Sequence, residues 1–162
     1  MIDGLVFCWK KNMEYGPKLV ADLSPEQMVQ QPVASGKPTN HPAWVFSHLN
    51  VYTPLIEKLI QGETFEDPKT HRFGMQSQPE SDLSVYEPKD QLVDAFVQGH
   101  QRVIALLKDA DPAVLNQEVT LARWKEVMPT LSVILPYLML THEATHLGQL
   151  SAWRRIQGMP SV

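Results

Sequence analysis

A chain of 162 residues has the length of one domain with a single sizeable core, and its one cysteine, Cys8, excludes an internal disulfide framework and suits a reducing compartment. Fourteen basic against eighteen acidic residues give a formal charge of -4 with neither sign gathered into a long block, which argues against a nucleic-acid surface. The longest apolar runs, such as Leu5 to Trp9, are too short for a membrane span or a secretory leader, so the expectation is one cytoplasmic domain over residues 1–162.

From Asp3 to about Leu23 the apolar residues Leu5, Trp9, Met13 and Val20 recur at helical spacing, interrupted by Gly16 and Pro17, which predicts a first helix loosened at that point. Ser24-Pro25-Glu26-Gln27 offers a cap, a proline at the first helical position and an early acid, hence a short helical turn. A loop with Pro32, Gly36 and Pro38 follows. The second helix is expected from Asn40 or His41 as cap to about Ile60, stopped by Gly62, with Trp44, His48, Val51, Tyr52, Leu55 and Leu59 as its stripe. Pro54 should bend it or be absorbed by packing. Residues 61–87 lack periodicity and form a long excursion, either a lid or a contact in a dimer. A third helix fits Pro88 to Lys108, with Leu92, Phe96, His100, Val103 and Leu107 in line. The link 109–129 carries little pattern, with Trp124 as its anchor.

The last helix is predicted from Thr130 to Gln157, kinked by Pro136 and stopped by Gly158. One face of it would carry Leu131, Leu135, Leu138, His142, Thr145, His146, Gln149, Ala152, Trp153 and Ile156. Four long amphipathic helices without a convincing strand predict an all-α, up-down four-helix bundle, an architecture that builds metal sites from inward-facing side chains.

His142-Glu143-Ala144-Thr145-His146 stacks two imidazoles one turn apart on one side of a helix, the spacing two ligands of one ion require. The same five residues match the H-E-x-x-H pattern of zinc peptidases, in which the glutamate acts as base and a third ligand follows downstream. No histidine or acidic residue follows His146, so any third ligand comes from upstream. His48, on the second helix, is the residue for it. Three unpaired imidazoles in a core would cost ~1–3 kcal/mol each, whereas a structural divalent ion contributes ~10 kcal/mol or more, so metal binding accounts for all three together. The bland reading beside it is that a lone histidine on a helical stripe is usually a hydrogen-bonded core residue.

The remaining candidates have plainer readings. His41 lies roughly 10 Å along the axis from His48 and suits a cap or solvent. His100 reads as a hydrogen-bonded structural residue, and His71 has no assignable role. Glu143 points about 100° away from the ligand line, as a partner of the ligands or a surface residue, with a catalytic role left open. Cys8 reads as a small packed residue.

The segment His41-Pro42-Ala43-Trp44-Val45-Phe46-Ser47-His48-Leu49 resembles the second-helix motif of the DinB/YfiT-like superfamily. His142-Glu143-Ala144-Thr145-His146-Leu147-Gly148-Gln149-Leu150, followed by Arg154-Arg155 and Gly158, is similar to its fourth-helix motif H-x-x-x-H-x-G-Q. The likeness covers essentially the whole chain, with Ser47 standing where many members carry glycine. It implies a four-helix bundle holding one divalent metal, often nickel or zinc, on His48, His142 and His146. It also implies homodimers, and an activity among thiol-dependent transferases and isomerases that use low-molecular-weight thiols.

Three neutral imidazoles leave open positions on an ion, the composition of a catalytic rather than a closed structural site. Three functions follow. A thiol cofactor is activated as thiolate toward a small electrophilic substrate, or a metal-bound hydroxide hydrolyses a substrate with Glu143 assisting, or the bundle binds metal or ligand without turnover.

Overall fold

The computed structural model describes residues 2–32 and 39–162, and among these the chain is all-helical, with the isolated bridge between Glu118 and Thr130 in place of any strand. Gly36 and Pro38 of the expected first loop lie outside the described residues. Helix α1 (Ile2–Tyr15) stops where Gly16 and Pro17 were expected to loosen it, and a 3-10 turn, Pro17–Leu19, continues the chain. Helix α2 (Pro25–Met28) is a single turn begun by Ser24, whose hydroxyl accepts from the Gln27 N–H while the Gln27 side chain accepts from the Ser24 N–H. That reciprocal pair satisfies two amides that the helix cannot.

Helix α3 (Pro42–Gln61) opens on His41, whose Nδ1 accepts from the Trp44 N–H, and closes on Gly62 at φ 70°, a left-handed conformation that glycine adopts without strain. Pro54 lies on its exposed side and the helix runs on through it. Helix α4 (Lys89–Asp109) packs along α3 and α1. After it come a 3-10 turn at Pro112–Asn116 and the short α5 (Ala122–Lys125), whose Trp124 is buried as the expected anchor of this link.

The last helical stretch departs from the sequence reading. It consists of α6 (Leu131–Pro136), a π turn over Tyr137–His142, and α7 (Glu143–Ile156), closed by Gly158 at φ 73°. Pro136 therefore does not simply kink an α-helix; a wider turn follows it and holds one more residue per turn. The extra residue rotates everything beyond by roughly 100°, so the buried face continues through Met139, Glu143, Leu147, Leu150 and Arg154. The single face predicted from Leu131 to Ile156 is thus corrected. Thr145, Ala152 and Ile156 are exposed, and His142, His146 and Gln149 leave the core stripe.

Two apolar clusters make up the core. One joins α1, the second half of α3, the end of α4 and α6, while the other joins residues 19–29, the first half of α3, the start of α4 and α7. Between them sit polar residues from three parts of the chain: His48 on α3, His100 on α4, and His142 and Glu143 where α6 gives way to α7. The fold therefore has a polar waist between two apolar halves, and buried polar groups need partners there.

Candidate metal centre

Two of these waist residues, His48 and His142, meet a third histidine, His146, one turn farther along the last helix. His48, His142 and His146 each offer a ring nitrogen within 4.8 Å of the other two. The ring centroids form a nearly even triangle, with sides of 4.6 Å, 4.8 Å and 5.1 Å. His142 and His146 arrive on successive turns of one helix, and His48 comes from α3, which packs beside it. All three residues expected from the sequence are brought together.

The hydrogen bonds decide which nitrogens are free. His48 Nδ1–H donates to the Phe73 carbonyl at 2.6 Å, and His146 Nδ1–H donates to Gln149 Oε1 at 3.0 Å, so both rings are held with Nε2 as a bare lone pair. Gln149 Oε1 also accepts from Asn40 Nδ2 at 2.9 Å, which holds the amide in turn. The Nε2 atoms of His48 and His142 are 3.0 Å apart. A proton on His142 Nε2 satisfies that approach, and so does a cation at ~2.1 Å from each nitrogen, with an angle of about 90° between the two bonds. The donor set fits a divalent ion of borderline hardness.

Burial, and then the neighbouring imidazoles, push His48 down to about 4 and His142 to about 3, and burial lowers His146 as well. At neutral pH the three rings are neutral, the form that binds metal. Packing fixes them further. Trp44 stacks on His48 at 4.7 Å, and Tyr52 lies 4.9 Å from His48 and 4.6 Å from His142.

The segment 61–87 builds one wall of the site. It supplies the Phe73 carbonyl to His48, and Ser77 Oγ, which accepts from Trp44 Nε1 at 3.0 Å, holds the loop against α3. His41 is buried and not solvent-exposed. It caps α3 through Nδ1, and its Nε2–H donates to the Glu80 carbonyl at 2.8 Å, tying down the far end of the same loop. His71 is exposed, with its Nδ1 accepting from the Phe73 N–H inside the turn that presents the Phe73 carbonyl.

The triad opens into a cavity of about 490 Å³, lined further by Asn40, Tyr52, Met75, Gln78, Arg123, Val127 and Tyr137. Arg123 was not a candidate in the sequence, because nothing in the unpatterned link 109–129 says which of its side chains turns inward.

Glu143 is neither a surface residue nor a partner of the ligands. It is 2% exposed, does not line the cavity, and bonds His100 Nε2 through Oε1 at 3.0 Å. His100 Nδ1–H donates to the Phe96 carbonyl and the ring stacks on Trp9 at 3.9 Å, the structural role expected for it. Burial pushes the Glu143 carboxyl up, with His100 opposing. The base required by the hydrolytic reading is therefore turned away from the triad. Cys8 is exposed on α1 and not packed, since the buried side of that helix is taken by Leu5, Val6 and Trp9.

Residues 14–150 match the family model of the DinB superfamily. The chain belongs to the DinB superfamily. The match runs from the end of α1 to the Gln149-Leu150 pair, and so takes in all three histidines of this DinB protein. None of the curated proteins matches the chain.

Proposed function

We propose that this DinB protein is a divalent-metal-dependent transferase in which His48, His142 and His146 hold one ion, nickel or zinc, inside an up-down four-helix bundle. The observation that carries the reading is the convergence of three neutral imidazoles, two of them with their tautomers fixed by oxygen acceptors, on the floor of a 490 Å³ cavity. Bound there, the ion would supply the acidity that turns a low-molecular-weight thiol into thiolate near neutral pH, and thiolate is the attacking form. The chain's own contribution is positional: Phe73 and Gln149 aim two of the rings, Trp44 and Tyr52 wall the cavity, and the segment 61–87 forms another of its walls. The position of Glu143 favours thiol chemistry over hydrolysis, because no carboxylate lines the cavity among the described residues.

Metal-loaded protein incubated with a thiol and a small electrophile such as 1-chloro-2,4-dinitrobenzene is expected to consume the electrophile. His48→Ala should lose that turnover and Glu143→Gln should keep it. Turnover of ester or amide substrates without a thiol, abolished by Glu143→Gln, would contradict the proposal.

A further inference from the structure

The cavity over the triad has an unusual charge pattern for a protein of formal charge -4. Among the described residues no aspartate or glutamate lines it, and its only formally charged side chain is Arg123. The guanidinium is fixed from behind. Arg123 Nε donates to Asp67 Oδ2 at 2.7 Å and Nη2 to Asp67 Oδ1 at 2.5 Å, while the Trp124 ring lies 5.1 Å from its central carbon. Asp67 itself is not part of the cavity wall, and Nη1 has no hydrogen-bond partner among the described residues. The ion pair therefore works as a brace that spends one edge of the fork and leaves the other for a ligand. Tyr52 and Tyr137 line the same cavity as Arg123, and the Tyr52 ring lies 4.9 Å from that of His48 and 4.6 Å from that of His142. Neither phenolic hydroxyl has a hydrogen-bond partner among the described residues.

We infer that Arg123, with the hydroxyls of Tyr52 and Tyr137, forms a carboxylate-binding corner beside the triad, so that the thiol or substrate this protein accepts carries a carboxylate. This rests on the metal reading above. A guanidinium edge takes a carboxylate in a paired, planar contact that a neutral or cationic ligand cannot make. A divalent ion held by the triad would add positive charge to the same space, and among the described residues no acidic wall is there to attract an amine. Asp67 lowers the net charge of the corner but leaves Nη1 unopposed.

The test uses zinc-loaded protein and three thiols of similar size, 3-mercaptopropionate, 2-mercaptoethanol and cysteamine, titrated calorimetrically. The acid is expected to bind about tenfold or more tightly than the neutral thiol, the scale of one hydrogen bond to a charged group, with the amine weakest. Arg123→Gln is expected to abolish that preference while zinc stoichiometry and 2-mercaptoethanol affinity stay as they were, and Arg123→Lys to retain part of it. Equal affinities for the three thiols, or a preference undiminished in Arg123→Gln, would overturn the inference while leaving the metal reading intact. A protein that takes up no zinc would instead remove the metal reading and this inference with it. In the unaltered protein the acid, and not the neutral thiol, should shift the Arg123 side-chain N–H resonance. A silent Arg123 also overturns the assignment, whatever happens to the variants.

Discussion

An imidazole that is to hold a cation must first give up its proton, and the three histidines do so because burial penalises their charged forms. The consequence has a sign for each state. In the metal-free fold the rings stay neutral below the pH at which free imidazole ionises, so the unfolded chain binds more protons as pH falls from about 6.5 toward about 4. Stability of the metal-free protein is thus lost across that window. Metal affinity behaves differently. Three ordinary imidazoles would lose roughly a thousandfold in apparent affinity between pH 7.5 and 5.5, through proton competition at three sites. Here the loss is expected to stay within about tenfold, read by competition with a chelator of known pH dependence, and a thousandfold loss would mean that the rings are not buried as described.

Helices place the ligands, but two irregular elements aim them. The π turn at Tyr137–His142 rotates His142 and His146 off the core stripe and puts Glu143 in their place against His100. The loop 61–87 then meets His48 from the other side, and its conformation hangs on Gly74. A Cβ there would lie 1.8 Å from the Pro68 carbonyl oxygen, a backbone atom that cannot yield without moving the turn that carries Phe73. Gly74→Ala is expected to weaken metal binding about 10- to 100-fold, as loss of a hydrogen bond to a ligating histidine does, with little change in helical content by circular dichroism. Unchanged affinity would show that the Phe73 carbonyl does not orient His48.

These same elements mark the limit of what could be read from the chain. The caps at Ser24 and His41, the stop at Gly62 and the i, i+4 histidine pair are local signals, and each lies where its chemistry places it. The π turn carries no such signal beyond Pro136, so the spacing in the last helix predicts a face one residue out of step and leaves Glu143 as a partner of the ligands or a surface group. Arg123 and the Phe73 carbonyl reach the site through loops without periodicity, where contacts are set by tertiary packing alone.

Across the whole molecule, Arg154 joins parts that the long helices leave apart. It is 2% exposed, pairs with both oxygens of Asp22 at 2.6 and 2.9 Å, and also donates to the Leu19 and Pro160 carbonyls. One guanidinium on α7 thereby ties down the segment after α1 and the tail after Gly158. Arg154→Ala is expected to destabilise the fold by about 2–3 kcal/mol in urea denaturation, whereas Arg155→Ala, on the exposed side, should be near neutral. Equal effects would mean that the network adds nothing. Among the described residues no helix is long and apolar enough to cross a membrane. His48, His142 and His146 are placed to hold one cation, and metal analysis of the protein as purified, followed by zinc or nickel titration, tests that most directly. One divalent ion per chain, lost in His48→Ala and in His142→Ala while both variants keep their helical content, is the predicted result. A folded protein that carries no metal and takes up none at micromolar concentration would contradict it.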